Sequence, residues 1–425
     1  VNSMIEEYSN VLNHLDENKI IIPLPTQKEN PYRKNISLED NILLNEYWHN
    51  GGSQNFTNFI IFIQNKLLKT SKEEYSKALI IPEKGIYHPK NPNLVFPSQN
   101  DYASFFNIDL LNNNKPIIGI GLHRGSIVSN NLAHIDEMIL YFEKKGYLTL
   151  PFFVDISGDD PTGKEFLSLN DKTIVDVIVN FQLMIIDHEK QKKMYSNLNV
   201  PILHALYYTK GDEKDWENDI NGVNFSMIPM TYIIPETLGF TDSLIVAAQN
   251  KVTKKLEPIY PQLYSLANKA INISTLKHKP NKDKKIAIMY YNYPYGVDNM
   301  GASFLNLPQS LEETLNALKD KGYTTEAKDH EYLRTEATKG LKMMYDVNLY
   351  DTAWKILEEE SADLFPYEEY MKEFYKLPVK TRTNIIKVWD YPIKSKSLIY
   401  KNNKWYFLIP RKKIGNVIIM PQPRR

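Results

Sequence analysis

The sequence contains no cysteine. That removes disulfides, thiolate zinc sites, iron–sulfur clusters and cysteine nucleophiles at once, and leaves the compartment undecided. There is no excess charge of either sign. Lys+Arg and Asp+Glu each number 51, and no polybasic run stands out, so a nucleic-acid surface is not the first expectation. Long apolar runs are also missing: "NFIIFI" and "LIVAA" are far short of the roughly 18 or more residues that a membrane helix needs. No signal peptide is visible. The chain opens at Val1 rather than Met and stops at "PQPRR", so trimming at one or both ends is expected.

What is present is 425 residues, 42% of them hydrophobic and 24% charged, which suffices for proper cores in two or three domains. The 28 tyrosines leave many rings available for flat ligands as well as for packing. Residues 1–112 read as mostly helical with long connections. Within them "SQNFTNFIIFIQNKLLK" is expected to place Phe56, Phe59, Ile60, Phe62 and Ile63 on one helix face.

From residue 113 the pattern turns to α/β. "KPIIGIGL" reads as a strand, "SNNLAHIDEMILYFEKKG" as a helix with an Asn or Ser cap and Gly146 at its end, and "YLTLPFFVD" as the next strand. That is a βαβ unit, which implies a parallel sheet. "TIVDVIVNF" and "VPILHAL" supply further strands of a module over 113–275. The construction returns over 284–380. There "KKIAIMYY" is a strand, "PQSLEETLNALKDKG" a helix with Pro308 in its first turn and Gly322 after its last, and "YTTEAKD" extended. Between the modules, 274–285 is the best linker. Residues 381–425 read as β-rich, with "SLIYKNNKWYFLIP" a hairpin turning on Asn-Asn and "GNVIIM" a strand. The expected fold is therefore multidomain α/β. It has two open parallel-sheet modules of flavodoxin-like or periplasmic-binding-protein-like type, a helical N-terminal part and a β-rich C-terminal stretch.

In open α/β sheets ligands sit beyond the carboxyl ends of the strands. That directs attention to "HRGS" (123–126) and to "NYPYGVDNMGAS" (292–303). The second loop carries aromatics that would either form a flat wall for a planar ligand or staple the loop to its own domain. "GDDPTGKE" (158–165) spaces Gly158, Gly163 and Lys164 like a phosphate loop. Glu165 stands where Ser or Thr should hold magnesium, so a polar turn is the better reading. The histidines show no metal-binding spacing. His88, His123 and His204 each follow or occupy an apolar run, a pattern that serves either a structural hydrogen bond or a neutral imidazole for metal or proton.

Several segments together resemble the large subunits of the cobaltochelatase and magnesium chelatase family. They are "GGSQNFTNFIIFI" (51–63), "PEKGIYHP" (82–89), the run 116–154, "NVPILHAL" (199–206), "IPETLG" (234–239), the run 284–323 and "IGNVIIMPQP" (414–423). The resemblance implies a protein that binds a tetrapyrrole (hydrogenobyrinic acid diamide, a porphyrin or haem) and inserts Co2+ or Mg2+, cobalt preferred. ATP would be hydrolysed by separate AAA+ partner subunits, in a ligase-type metal insertion in the cytoplasm. Carried over by position, the implied catalytic residues are His88, His123, His204 and Glu236, with His123 and His204 as metal ligands. Arg124, Asn292, Tyr293, Tyr295, Asp298 and Asn299 would contact the tetrapyrrole.

Departures from the family pattern are specific. The family's subunits are much longer than this chain. They usually carry an aromatic where this chain has His123, an Asp where it has Asn306, and a Trp-Gly with a proline–glycine run where it has "VWDYPIKSK". A histidine in an aromatic's place suits a haem-iron ligand. A homologue that removes iron (Fe2+) from haem, located in the periplasm, and a non-catalytic tetrapyrrole-binding protein are therefore the alternatives.

Overall fold

The computed structural model describes residues 17–24, 32–112, 115–154, 160, 162–182, 187–291, 300, 305–345 and 349–422. The chain divides into two compact units, Val1–His278 and Lys279–Arg425.

The first unit is built on eight strands: β1 (Gly85–Tyr87), β2 (Val95–Phe96), β3 (Ile117–Gly121), β4 (Leu148–Phe153), β7 (Val177–Asn180), β8 (Ile202–Tyr208), β9 (Phe240–Gln249) and β10 (Leu256–Pro258). A small hairpin, β5 (Ser168–Leu169) with β6 (Lys172–Thr173), stands apart from them. The sheet order is β10-β9-β8-β7-β3-β4-β1-β2. Strands β4, β3, β7, β8 and β9 run parallel, while β1, β2 and β10 are antiparallel additions at the edges. Taken in chain order, the five parallel strands lie 2-1-3-4-5, the flavodoxin-like winding, with its switch point between β3 and β7.

Continuous apolar runs such as "IIGIG" fit this sheet because helices cover both faces. One face packs Ile118, Ile120, Val177 and Val179 against Ile135, Ile139 and Phe142 of the helix Ala133–Lys144 and against Leu263 and Leu266 of Tyr260–His278. The other packs Leu150, Ile178 and Ile202 against Tyr195 and Leu198 of His188–Leu198. The helix Ala133–Lys144 starts at Leu132 with no side-chain cap, not at an Asn or Ser, and is followed by Gly146 at φ 88°. Residues 274–278, expected in a linker, continue the helix Tyr260–His278.

The N-terminal helices Leu38–Asn50 and Gly52–Phe62 are close to expectation, but the buried face differs. Phe59 and Phe62 are buried, whereas Phe56 and Ile60 are exposed. Asparagines take the inward positions because an extended segment needs backbone partners. Asn55 exchanges two 2.8 Å bonds with Leu79, Asn58 accepts from the Ser76 N–H, and Asn50 accepts from that of Ile81.

In the second unit, β11 (Ile286–Tyr290) pairs in parallel with β16 (Val417–Pro421), which also pairs antiparallel with β15 (Lys412–Ile414). Tyr290, Leu311, Leu315, Leu333 and Ile419 form the core beneath the helices Leu307–Asp320 and His330–Tyr345. Asn306 caps the first of these, accepting from the Gln309 N–H. No strand is formed at 323–329, so the parallel partner of β11 comes from the far end of the sequence. The hairpin β13 (Leu398–Lys401) and β14 (Lys404–Pro410) turns on Asn402 and Asn403, both at positive φ, and β14 pairs with β12 (Ala362–Pro366). The stretch 381–425 thus opens inside the helix Val379–Trp389 and then feeds both sheets of this unit.

Candidate functional site at the sheet's carboxyl edge

The chain leaves β3 at Leu122 and passes through His123 into the short helix Arg124–Val128. Neighbouring strands fix this exit. The Leu122 N–H donates to the Phe152 carbonyl at 2.9 Å and the Phe181 N–H to that of Gly121 at 2.8 Å. Just beyond β7, Gln182 Nε2 donates to the Leu122 carbonyl at 2.8 Å, and at the end of β7 Asn180 Nδ2 donates to the Gln182 carbonyl at 2.9 Å. A Cβ at Gly121 would lie 2.3 Å from Asn180 Oδ1, so the clamp requires glycine there. His123 is half-buried at the switch point, and burial lowers its pKa, leaving the imidazole neutral at pH 7.

Arg124 has another task. Its Nε donates to the Pro82 carbonyl at 2.9 Å and its Nη2 to that of Ile81 at 2.7 Å, while Glu83 stands 3.5 Å from Nε. Glu83 also meets His49 Nε2 at 3.1 Å. Behind them Gly51, at φ 59°, faces Val128 so closely that a Cβ would come within 2.3 Å of its Cγ1. The three sequence stretches around 51, 82 and 123 thus meet at one place. The roles of Glu83 and His49 were missed in the sequence because these contacts are non-local.

His204 lies in β8 beside Asn180, two strands from Gly121, or about 10 Å across the sheet. It is fully buried. Nδ1 lies 3.2 Å from Ser243 Oγ, Nε2 has no partner among the described residues, and burial pushes its pKa down to about 4. A second buried imidazole, His134, contacts the Tyr207 hydroxyl at 3.2 Å and is likewise pushed down to about 4. The apolar setting of "LAHIDEM" was the only sequence signal for it.

His88 is elsewhere. It follows β1, which runs antiparallel to β4, so it sits toward the amino edge of the sheet. Its Nδ1 accepts from the Lys90 N–H at 3.1 Å, which puts the proton on Nε2, and Nε2 donates to Glu143 at 2.8 Å. Both nitrogens are occupied, and neither is open to a metal. Glu236 is exposed on the short helix Ile234–Thr237, next to Thr237, whose hydroxyl oxygen accepts from His188 Nε2 at 2.6 Å. The structure does not gather His88, His123, His204 and Glu236 into one cluster, and among the described residues no group of three or more His, Asp or Glu could hold a metal ion. Asn292, Tyr293, Tyr295, Asp298 and Asn299 lie outside the described residues. No described helix is long and apolar enough to cross a membrane.

Comparison with known proteins agrees with this architecture. The profile of the CobN/Magnesium Chelatase family matches residues 45–425. The magnesium-chelatase subunit ChlH of rice is 25% identical over 383 residues, covering 85% of this chain and 27% of that protein. An uncharacterized protein of Methanocaldococcus jannaschii is 25% identical over 95% of this chain and 34% of its own length. The aerobic cobaltochelatase subunit CobN of a Sinorhizobium species is 21% identical over 92% of this chain and 30% of its own. Among solved structures, the catalytic subunit of cobaltochelatase from Mycobacterium tuberculosis superposes with a TM-score of 0.70 at 16% identity, over 92% of this chain and 32% of that one. The chain spans about a third or less of the length of each of these proteins.

Proposed function

Because the chain belongs to the CobN/magnesium chelatase family, we propose that it forms the part of a metal-chelatase large subunit that receives a tetrapyrrole at the carboxyl edge of its first sheet. Cobalt is the preferred metal substrate and magnesium the second. ATP is used by AAA+ partner subunits, in keeping with Glu165 in place of the magnesium-holding hydroxyl of a phosphate loop. The observation that carries the reading is His123, a neutral, half-buried imidazole at the switch point, held by contacts that tolerate only glycine at position 121.

Metal insertion replaces two pyrrole N–H protons with one divalent ion, so a group near the macrocycle must accept a proton. His123 is the residue assigned to this step. Arg124 is assigned to holding residues 81–83 over the site, since two of its N–H groups are already spent on carbonyls. Glu236 remains a candidate for passing the metal inward, because its carboxylate faces solvent.

The test is an absorbance titration with a porphyrin, a corrin precursor and haem, on the wild type and on His123→Ala. A saturable shift with the porphyrin or the corrin, weakened about tenfold or more in the variant, is expected. Metal incorporation that depends on ATP and AAA+ partners completes the assignment. No binding of any tetrapyrrole would overturn it. The imidazole in the usual place of an aromatic favours one second reading, haem demetallation, which would be seen as iron lost from haem under reducing conditions.

A further inference from the structure

At the amino edge of the same sheet, away from the switch point, lies a cavity of about 590 Å³. Its size falls within the range of small-molecule sites, on the order of 300–1,000 Å³. The floor is apolar and aromatic: Tyr102, Phe106, Ile108, Tyr147 and Leu148. Its rings are held in place. Tyr102 donates to the Thr149 carbonyl at 2.8 Å, Tyr147 shares a 2.9 Å bond with Thr275, and Phe106 lies 4.9 Å from the Tyr102 ring and 4.5 Å from that of His88.

The polar groups on the wall have unequal capacity. Each Glu143 oxygen already accepts one charged or N–H donor, Oε1 from His88 at 2.8 Å and Oε2 from Lys90 at 2.6 Å. Asp109 accepts from the N–H groups of Leu111 and Asn112 and from the Asn112 amide, all at 2.9 Å. The ammonium of Lys90 has three N–H groups, one of which goes to Glu143. The other two are left for an acceptor above the apolar floor.

We propose that this cavity is a second ligand site, selective for a planar aromatic anion of two or three rings, with the ring on Phe106 and Tyr147 and the anionic group on Lys90. It is distinct from the carboxyl-edge site and does not depend on the tetrapyrrole reading. The helix Ala133–Lys144 joins the two regions: its first turn bears His134, bonded to Tyr207, and its last bears Glu143.

The probe is 2-naphthoate, titrated by calorimetry into the full chain, with 2-naphthalenemethanol and 2-naphthylmethylamine as the neutral and cationic comparisons. Saturable binding of the naphthoate is expected, about fivefold or more tighter than either comparison. Lys90→Gln should abolish that preference while leaving affinity for the alcohol unchanged, and Lys90→Arg should restore it. Phe106→Ala should weaken all three probes, and circular dichroism of each variant separates lost binding from lost fold. The proposal fails if naphthoate binding does not saturate, if the amine is preferred, or if Lys90→Gln binds like the wild type. Displacement of naphthoate by an equimolar porphyrin dicarboxylate would make this the macrocycle's own site and would also overturn it.

Discussion

Replacing Gly121 by alanine probes the construction of the carboxyl edge most directly. The added Cβ would fall 2.3 Å from Asn180 Oδ1 and 3.3 Å from the Phe152 ring. Phe152 is buried in the core and cannot retreat, so the Asn180 side chain must turn away and give up its bond to the Gln182 carbonyl. Overpacking of this kind costs about 1–3 kcal/mol. Leaving a buried amide and carbonyl without partners adds about 1–3 kcal/mol. Some relaxation is shared between the two terms, so the expected total is about 2–4 kcal/mol. A double-mutant cycle with Asn180→Ala isolates the clash: with the amide gone the methyl has room, and a coupling of about 1–2 kcal/mol should appear. Urea unfolding gives the stabilities, and hydrogen exchange across 117–128 and 177–182 localises the change. If Gly121→Ala costs less than about 0.5 kcal/mol, or if the two substitutions simply add, the clamp as described is wrong.

Two further outcomes follow from the same physics. His134 and His204, pushed down to about 4 by burial, bind fewer protons folded than unfolded below the ordinary imidazole value of about 6.5. Their stabilising contribution is therefore present above that value and is lost as pH falls towards 4. Each should contribute a loss of about 2 kcal/mol between pH 7 and pH 5, so urea midpoints for His204→Leu should fall less steeply over this range than those of the wild type; an identical slope would remove His204 from the account. In the second unit, Asn403 sits at φ 60° in a two-residue hairpin turn, where glycine is less strained. Asn403→Gly should therefore raise stability by up to about 1 kcal/mol, and a lowered urea midpoint would contradict the turn geometry.

The strands and the βαβ unit were legible because each apolar run is continuous and bounded by glycine or polar turns, a pattern local to the chain. The position of His123 at the carboxyl end of a strand was legible for the same reason: it follows a parallel strand directly. His88 was not, because the same sequence pattern does not reveal that β1 runs antiparallel, which turns its carboxyl end to the opposite edge. Arg124 looked like a free cation because its partners, two backbone carbonyls, lie about forty residues upstream. The inward-facing asparagines 50, 55 and 58 defeated a reading based on hydrophobic period, since their burial is justified by a backbone segment that periodicity cannot see. The partner of β11 was missed because sequence suggests the nearest extended stretch, whereas the sheet uses β16.

That last pairing has a consequence for biosynthesis. The first unit is contiguous, ending at His278, and can close its sheet while the ribosome is still translating the remainder. In the second, Ile286 waits for Val417 to emerge before its only described sheet partner exists. A nascent chain whose first unit has emerged from the ribosome, but whose Val417 has not, would carry a finished first unit and an unpaired strand, an aggregation-prone species of the kind chaperones exist to handle.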